Sequence, residues 1–200
     1  TDTDVVKVKG QEVSREVEQI IIAFNKPEGI ECTAQKDNPD NIIDYIGYEK
    51  RIYPIGRLDK NSRGLILLTN DGSIVNGILK ASNFHEKEYV VTVDKEITGE
   101  FIEAMSSGVT ILDGVKTRPC EVKKTKKHEF NTILTQGLNR QIRRMCKALG
   151  YNVTKLQRIR VMNIELGTLG KGKYRNLTDE EVKELLDQIP NSNKIKFRVA

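Results

Sequence analysis

The stretch Gly56-Arg57-Leu58-Asp59-Lys60-Asn61-Ser62-Arg63-Gly64-Leu65-Ile66-Leu67-Leu68-Thr69-Asn70-Asp71-Gly72 changes character halfway along. Leu65 to Thr69 is a short apolar run closed by Asn70-Asp71-Gly72, which reads as a buried strand running into a turn. The charged half before it is then a loop at a sheet edge, and loops on a rigid scaffold commonly carry reactive groups. Asp59 is a lone carboxylate there among Arg57, Lys60 and Arg63, a setting that suits a carboxylate nucleophile. Taken alone, the segment reads more readily as an ordinary surface loop with an exposed salt bridge.

Further strands lie on either side. Ile20-Ile21-Ile22-Ala23-Phe24 is a β-branched run ended by Asn25-Lys26-Pro27-Glu28-Gly29; Tyr89, Val91 and Val93 alternate with Val90 and Thr92; Phe130 to Thr135 suggests a fourth strand. The opening stretch places Val5, Val6 and Val8 before a Lys9-Gly10-Gln11 turn, as in a hairpin. Two helices are legible. Ile142, Met145, Cys146 and Leu149 fall at helical spacing before Gly150, and Thr178-x-x-Glu181 is a capping box leading into Val182, Leu185, Leu186, Ile189 and Pro190. Strands outnumber helices without βαβα alternation, so the expected class is α+β with a largely antiparallel sheet.

The chain has 200 residues, 38% of them hydrophobic, enough for one compact domain of one lobe or two. Cys32, Cys120 and Cys146 stand apart, odd in number and without metal or disulfide spacing, and His85 and His128 have no second ligand nearby, so no metal site is expected. A reducing cytoplasm fits these cysteines. The longest apolar run, Ile20 to Phe24, is too short to cross a bilayer. Gly167-Thr168-Leu169-Gly170-Lys171-Gly172-Lys173 nearly spells a phosphate-binding P-loop, but Tyr174 stands where a Ser or Thr would bind magnesium.

The formal net charge is only +5, yet the charges are unevenly spread. Between Phe130 and Ile164 there is no Asp or Glu, while Arg140, Arg143, Arg144, Lys147, Lys155, Arg158 and Arg160 fall there, just after Lys123-Lys124-Thr125-Lys126-Lys127. A solvated basic face and a phosphate-binding surface both produce such a run. So many cations without a compensating acid favour the backbone of a nucleic acid.

Four blocks carry a resemblance: Asn25-Lys26-Pro27-x-Gly29, Gly56-Arg57-Leu58-Asp59, Glu86-Lys87-Glu88-Tyr89 and Gly137-x-Asn139-Arg140-Gln141-Ile142-Arg143-Arg144-Met145. In kind and order they resemble the RsuA-type pseudouridine synthases from about Asn25 to Asp179, with His85 to Tyr89 and Arg160-Val161-Met162-Asn163 most similar to the RluF branch. The resemblance implies a pseudouridine synthase fold: a largely antiparallel mixed sheet in two lobes, flanked by helices around an active-site cleft. It implies isomerisation of a uridine in 23S ribosomal RNA, with a tyrosine tRNA anticodon as a second target, by a monomeric enzyme with no metal or organic cofactor. Asp59 would be the catalytic aspartate, Arg143 its basic partner, Tyr89 the ring stacked on the target base and Ile142 the apolar floor. Arg57 would fill the gap left by the extruded nucleotide, Lys26 and Pro27 would shape the pocket, and Arg140, Arg144 and Lys147 would bind RNA. The expected organisation is a tail or linker of an S4-type RNA-binding module (1–17), the catalytic domain (18–190) and a C-terminal tail (191–200).

These roles suit the chemistry. Breaking a glycosidic bond needs a carboxylate facing the sugar carbon, and burying it costs several kcal/mol unless a cation is fixed beside it. A flat, uncharged base is best received by an aromatic and an aliphatic side chain. A non-catalytic RNA-binding or ribosome-assembly module would share the basic surface, but it has no chemical need of Asp59, Arg143 and Tyr89 together.

Overall fold

The computed structural model describes residues 5–8, 11–14, 18–80 and 83–190. Strands β1 (Val5–Val8) and β2 (Gln11–Ser14) pair antiparallel as a sheet of their own, in keeping with the expected hairpin. Lys9 and Gly10 of its turn, the rest of the expected N-terminal tail and the C-terminal tail 191–200 lie outside the described residues.

The other strands form one nine-stranded sheet. They are β3 (Ile21–Lys26), β4 (Tyr53–Pro54), β5 (Arg63–Thr69), β6 (Lys87–Val93), β7 (Glu121–Lys126), β8 (Glu129–Leu134), β9 (Val153–Val161), β10 (Ile164–Glu165) and β11 (Tyr174–Asn176). Their order is β11-β3-β5-β9-β6-β8-β7, with β4 on β5 and β10 on β9. Every pairing is antiparallel except β5 with β9, where Arg63 and Gly64 run parallel to Gln157 and Arg158. Helices α1 (Ile42–Ile46), α2 (Gly72–Leu79), α3 (Gly99–Ser106), α4 (Gln141–Ala148) and α5 (Asp179–Asp187) flank the sheet.

The parallel seam divides two lobes. In the first, β3 and β5 are buried on both faces, which is why they read as unbroken apolar runs. Ala23, Leu65 and Leu67 pack against Ile74 and Ile78 of α2 and Val182, Leu185 and Leu186 of α5. Their neighbours Ile22, Phe24, Ile66 and Leu68 face Ile42 of α1 together with Ile52 and Leu58, as the two-residue period of a strand requires. In the second lobe, Val91, Phe130 and Leu156 pack against Phe101 and Met105 of α3 and Ile142, Met145 and Cys146 of α4.

Local chemistry sets the boundaries. The capping box of α5 is present, with the Thr178 side chain accepting from Glu181 N and the Glu181 side chain accepting from Thr178 N. Gly150 takes a φ of +83° just beyond α4. Asn70-Asp71-Gly72, expected to be a turn, is a helix start: the Asp71 side chain accepts from Ser73 N and caps α2, worth about 1 kcal/mol. Lys123 to Lys126 lie on β7, at the edge of the sheet, where lysines oppose edge-to-edge pairing with another chain.

The near P-loop connects β10 to β11 and no helix follows it directly, so it lacks the helix N-terminus that a phosphate site of that kind requires. Among the described residues no His, Cys, Asp and Glu group is placed to hold a metal, and no helix is long and apolar enough to cross a membrane. Burial pushes the Cys146 thiol up to about 12 and raises those of Cys32 and Cys120, so these are packing residues.

Candidate active site

The Asp59 loop is pinned from the first lobe. Ser62 N donates to Asp59 O (2.9 Å) and Gly29 N to Lys60 O (2.7 Å), while Leu58 is buried with its N–H directed at Cys32 Sγ (3.4 Å). Gly64 ends the loop at a φ of +113°, and a Cβ there would lie 2.2 Å from Arg158 O. Only glycine allows the approach that joins β5 to β9 directly behind Asp59. Lys26 is fully buried beneath the loop and donates to the carbonyls of Pro27 (2.9 Å), Ile30 (2.6 Å) and Lys60 (3.3 Å). Burial lowers its pKa to about 8. The Lys26 ammonium is thus engaged by loop carbonyls, and Lys26 is not among the residues that line the cleft between the lobes.

The second lobe supplies the cations. Arg140, the residue before α4, adopts the left-handed region (φ 49°, ψ 36°), a conformation that costs on the order of 1–3 kcal/mol and tends to mark functional sites. Its Nη1 lies 3.5 Å from Asp59 Oδ2 and 3.4 Å from Asn61 Oδ1. Arg143, one turn on, places Nε 3.5 Å from the same carboxylate oxygen, and its Nη2 donates to Asn61 O (3.1 Å) and Ser62 Oγ (2.9 Å). Arg143 Nε is buried with no hydrogen-bond partner among the described residues. Burial, then the neighbouring Arg140, pull the Arg143 pKa below its ordinary value, and Asp59 opposes them; a guanidinium stays charged regardless. Gln141 is buried and orients the preceding turn, its Oε1 accepting from Leu138 N (3.1 Å).

Between the lobes lies a cleft of about 640 Å³. Arg57, Asp59, Tyr89, Arg140 and Ile142 line it. Arg143 reaches Asp59 from outside that lining. Arg144 and Lys147 do not line the cleft: Arg144 Nη2 donates to Asn139 Oδ1 (3.3 Å) and Lys147 is exposed on α4. Sequence reasoning left Lys87 and Arg118 without a role, and both line the cleft. Strand alternation was the available signal for Lys87, which lies two residues before Tyr89 on the same face of β6.

The basic run is not one surface. Arg158 is only 4% exposed, its Nε donating to Leu65 O (2.8 Å). Arg160 pairs with Glu88 (3.1 Å) and Glu86 (3.2 Å) and donates to Met162 O (2.7 Å). The acids that compensate Arg160 are Glu88 on β6 and Glu86 just before it, and Arg158, although it lines the cleft, is tied to the sheet through Leu65 O.

Comparison with known proteins agrees with this geometry. Residues 20–148 match the family model for RNA pseudouridylate synthase. The chain is 55% identical to the dual-specificity RNA pseudouridine synthase RluF of Escherichia coli K12 over 95% of its length, and it spans 66% of that relative. It is 36% identical to ribosomal large subunit pseudouridine synthase B of Bacillus subtilis, covering 92% of this chain and 78% of that one. A crystal structure of a pseudouridylate synthase superposes with a TM-score of 0.79 at 29% identity, over 87% of this chain and 76% of the other. Similarity of this extent, through both lobes and the loop that carries Asp59, means that the chain belongs to the RNA pseudouridylate synthase family.

Proposed function

We propose that this protein isomerises uridine to pseudouridine in RNA, with residues 18–190 as its catalytic domain and Asp59 as its catalytic aspartate. One observation carries the reading. The Asp59 carboxylate is held 3.5 Å from both Arg140 and Arg143 at a cleft that Tyr89 and Ile142 also line. The arginines offset the cost of desolvating the carboxylate, and the other two side chains suit a flat neutral base.

The target nucleotide must leave its stack to enter an enclosed cleft. Its base then stacks on Tyr89 over Ile142, with the ribose C1′ towards Asp59. The C1′–N1 bond breaks and its electron pair goes to the uracil. The base turns, C5 bonds to C1′, the hydrogen on C5 leaves as a proton, and N1 gains a proton, so the product is an isomer of the substrate. Asp59 answers the electron deficiency at C1′. Arg57, exposed at the cleft, occupies the space vacated by the extruded nucleotide.

Ribosomal RNA is the substrate class we assign, supported by the large-subunit name of the Bacillus relative; the dual-specificity name of the Escherichia relative supports tRNA as a second class. The protein acts as a cytoplasmic monomer. Tritium release from C5-labelled uridine in 23S and tRNA transcripts measures turnover. Asp59→Asn, which changes charge but little volume, is expected to abolish release while leaving folding and RNA binding intact. Appreciable turnover by the variant would remove Asp59 from the chemistry.

A further inference from the structure

We propose that Lys87 is a further catalytic residue, whose ammonium receives the negative charge that develops on the uracil as the bond to the sugar breaks. This rests on the isomerase reading above. Lys87 lines the same cleft as Asp59 and Tyr89. It lies two residues before Tyr89 on one face of β6, so the two side chains leave the strand about 7 Å apart. A uracil stacked on the Tyr89 ring extends its edge along the strand towards Lys87.

The surroundings of Lys87 hold a cation ready without a counterion. No hydrogen bond or ion pair reaches its ammonium from the described residues. The acids on either side in sequence are engaged elsewhere: Glu86 with Arg160, and Glu88 with Arg160 and Asn131. Asp59 is already faced by two arginines. Burial, and after it the neighbouring cation Arg158, lower the Lys87 pKa to about 8. A partly buried ammonium beside a guanidinium is unfavourable by itself. It becomes favourable once a negative group enters.

A structural role is poorly supported. A Cβ built on Gly137, which also lines the cleft, would lie 4.0 Å from Lys87 Nζ, an ordinary contact, and no hydrogen bond or ion pair to Lys87 is found among the described residues.

The chemistry requires a group of this kind. When the C1′–N1 electron pair moves to the base, the charge spreads over N1, O2 and O4 of the uracil. Asp59 answers the deficiency at the sugar and, being an anion, cannot serve the base. A fixed cation in a water-poor cleft stabilises such developing charge far better than bulk solvent does. The charge disappears when C5 has bonded to C1′, its proton has left and N1 has been protonated, so Lys87 neither gains nor loses a proton overall.

The test uses the full chain and two RNA substrates under single-turnover conditions, one with uridine and one with 5-fluorouridine at the target position. Fluorine withdraws electrons and stabilises the departing uracil without help from the protein. Loss of the parent nucleoside, followed by chromatography after nuclease digestion, reports bond cleavage in both. Lys87→Met is expected to slow the uridine substrate by roughly 10²–10³-fold, with a much smaller effect on the fluorinated one and unchanged RNA affinity. Lys87→Arg, which keeps the charge, is expected to retain most of the uridine rate, which separates removal of charge from failure to fold. Equal slowing of both substrates would overturn the proposal. So would a normal cleavage rate with a salt dependence of binding reduced by about 0.7 in log-log slope, the mark of an interaction with phosphate. Wild-type protein inactive on both RNAs would instead refute the isomerase reading.

Discussion

The cations of α4 and those of β9 belong to a single acid-free run of sequence, and the fold separates them. Arg140 and Arg143 cross the seam between the lobes to reach the Asp59 loop. Arg158 and Arg160 turn into the sheet instead, one capping the Leu65 carbonyl and the other held by Glu88 on the adjacent strand and Glu86 just before it. Helix α4 has one buried face and one open end, so its first turn can present guanidiniums to another lobe. Strand β9 is flanked by β5 and β6, and a long side chain there meets whatever its neighbours carry. Charge counted along a chain therefore does not describe a surface until cross-strand partners are known.

The largest effect that could break this contrast is at Arg143. Arg143→Met is expected to lower turnover by roughly 10²–10³-fold while shifting Tm by only a few degrees. Arg143→Lys should restore little, because Nε and Nη2 serve different partners and an ammonium cannot reach both. Rates near wild type in the tritium assay would make the α4 cations as structural as those of β9.

Arg158→Met should instead act on stability. It leaves the buried Leu65 carbonyl without its charged donor, so a decrease of about 2–3 kcal/mol is expected in urea denaturation. A stability within error of wild type would show that the seam does not depend on this arginine.

Lys26 is a third cation held by the fold, and pH reveals it. Its pKa in the folded protein, about 8, lies below the ordinary 10.5. The unfolded chain therefore binds more protons between those values, and wild type gains stability as pH rises through that window. Lys26→Met lacks this gain. The stability of wild type relative to the variant is expected to rise by about 2 kcal/mol between pH 7 and pH 10, and parallel curves would place the ammonium in water.

The smallest effects sharpen the contrast at the surface. Arg160→Ala is expected to cost about 1 kcal/mol of stability and to leave the salt dependence of RNA binding unchanged. Replacing Arg144, Lys147 and Lys155 by alanine should flatten the log-log slope by about 0.7 for each phosphate that is no longer neutralised. Coincident slopes for wild type and the triple variant in filter binding would move the phosphate-binding surface elsewhere.

Much of this was readable in the sequence. The apolar runs at Ile20 to Phe24 and Leu65 to Thr69 became β3 and β5, Tyr89 to Val93 became part of β6, and the helical spacing from Ile142 to Leu149 became α4. β9 was missed because Lys155, Arg158 and Arg160 interrupt its apolar pattern, so that the longest strand of the sheet resembled a basic segment. β7 was missed for the same reason. The candidate site was legible to the extent that its residues fall in short blocks; the positions of Lys26, Arg144 and Lys147 outside the cleft were not.

By itself the sequence determined the α+β class, the principal strands, the bounded helices α4 and α5, and the charged loop that carries Asp59. Apolar period and capping chemistry act between residues a few positions apart, so they can be read without a fold. Only the tertiary structure decided which cation meets which partner. Ser62 and Arg143 are 81 positions apart and Leu65 and Arg158 are 93 apart, and no local pattern specifies either pairing. The close approach at Gly64 that brings them together depends on two strands packing edge to edge, and the choice between a guanidinium that serves the site and one that serves the sheet is made there.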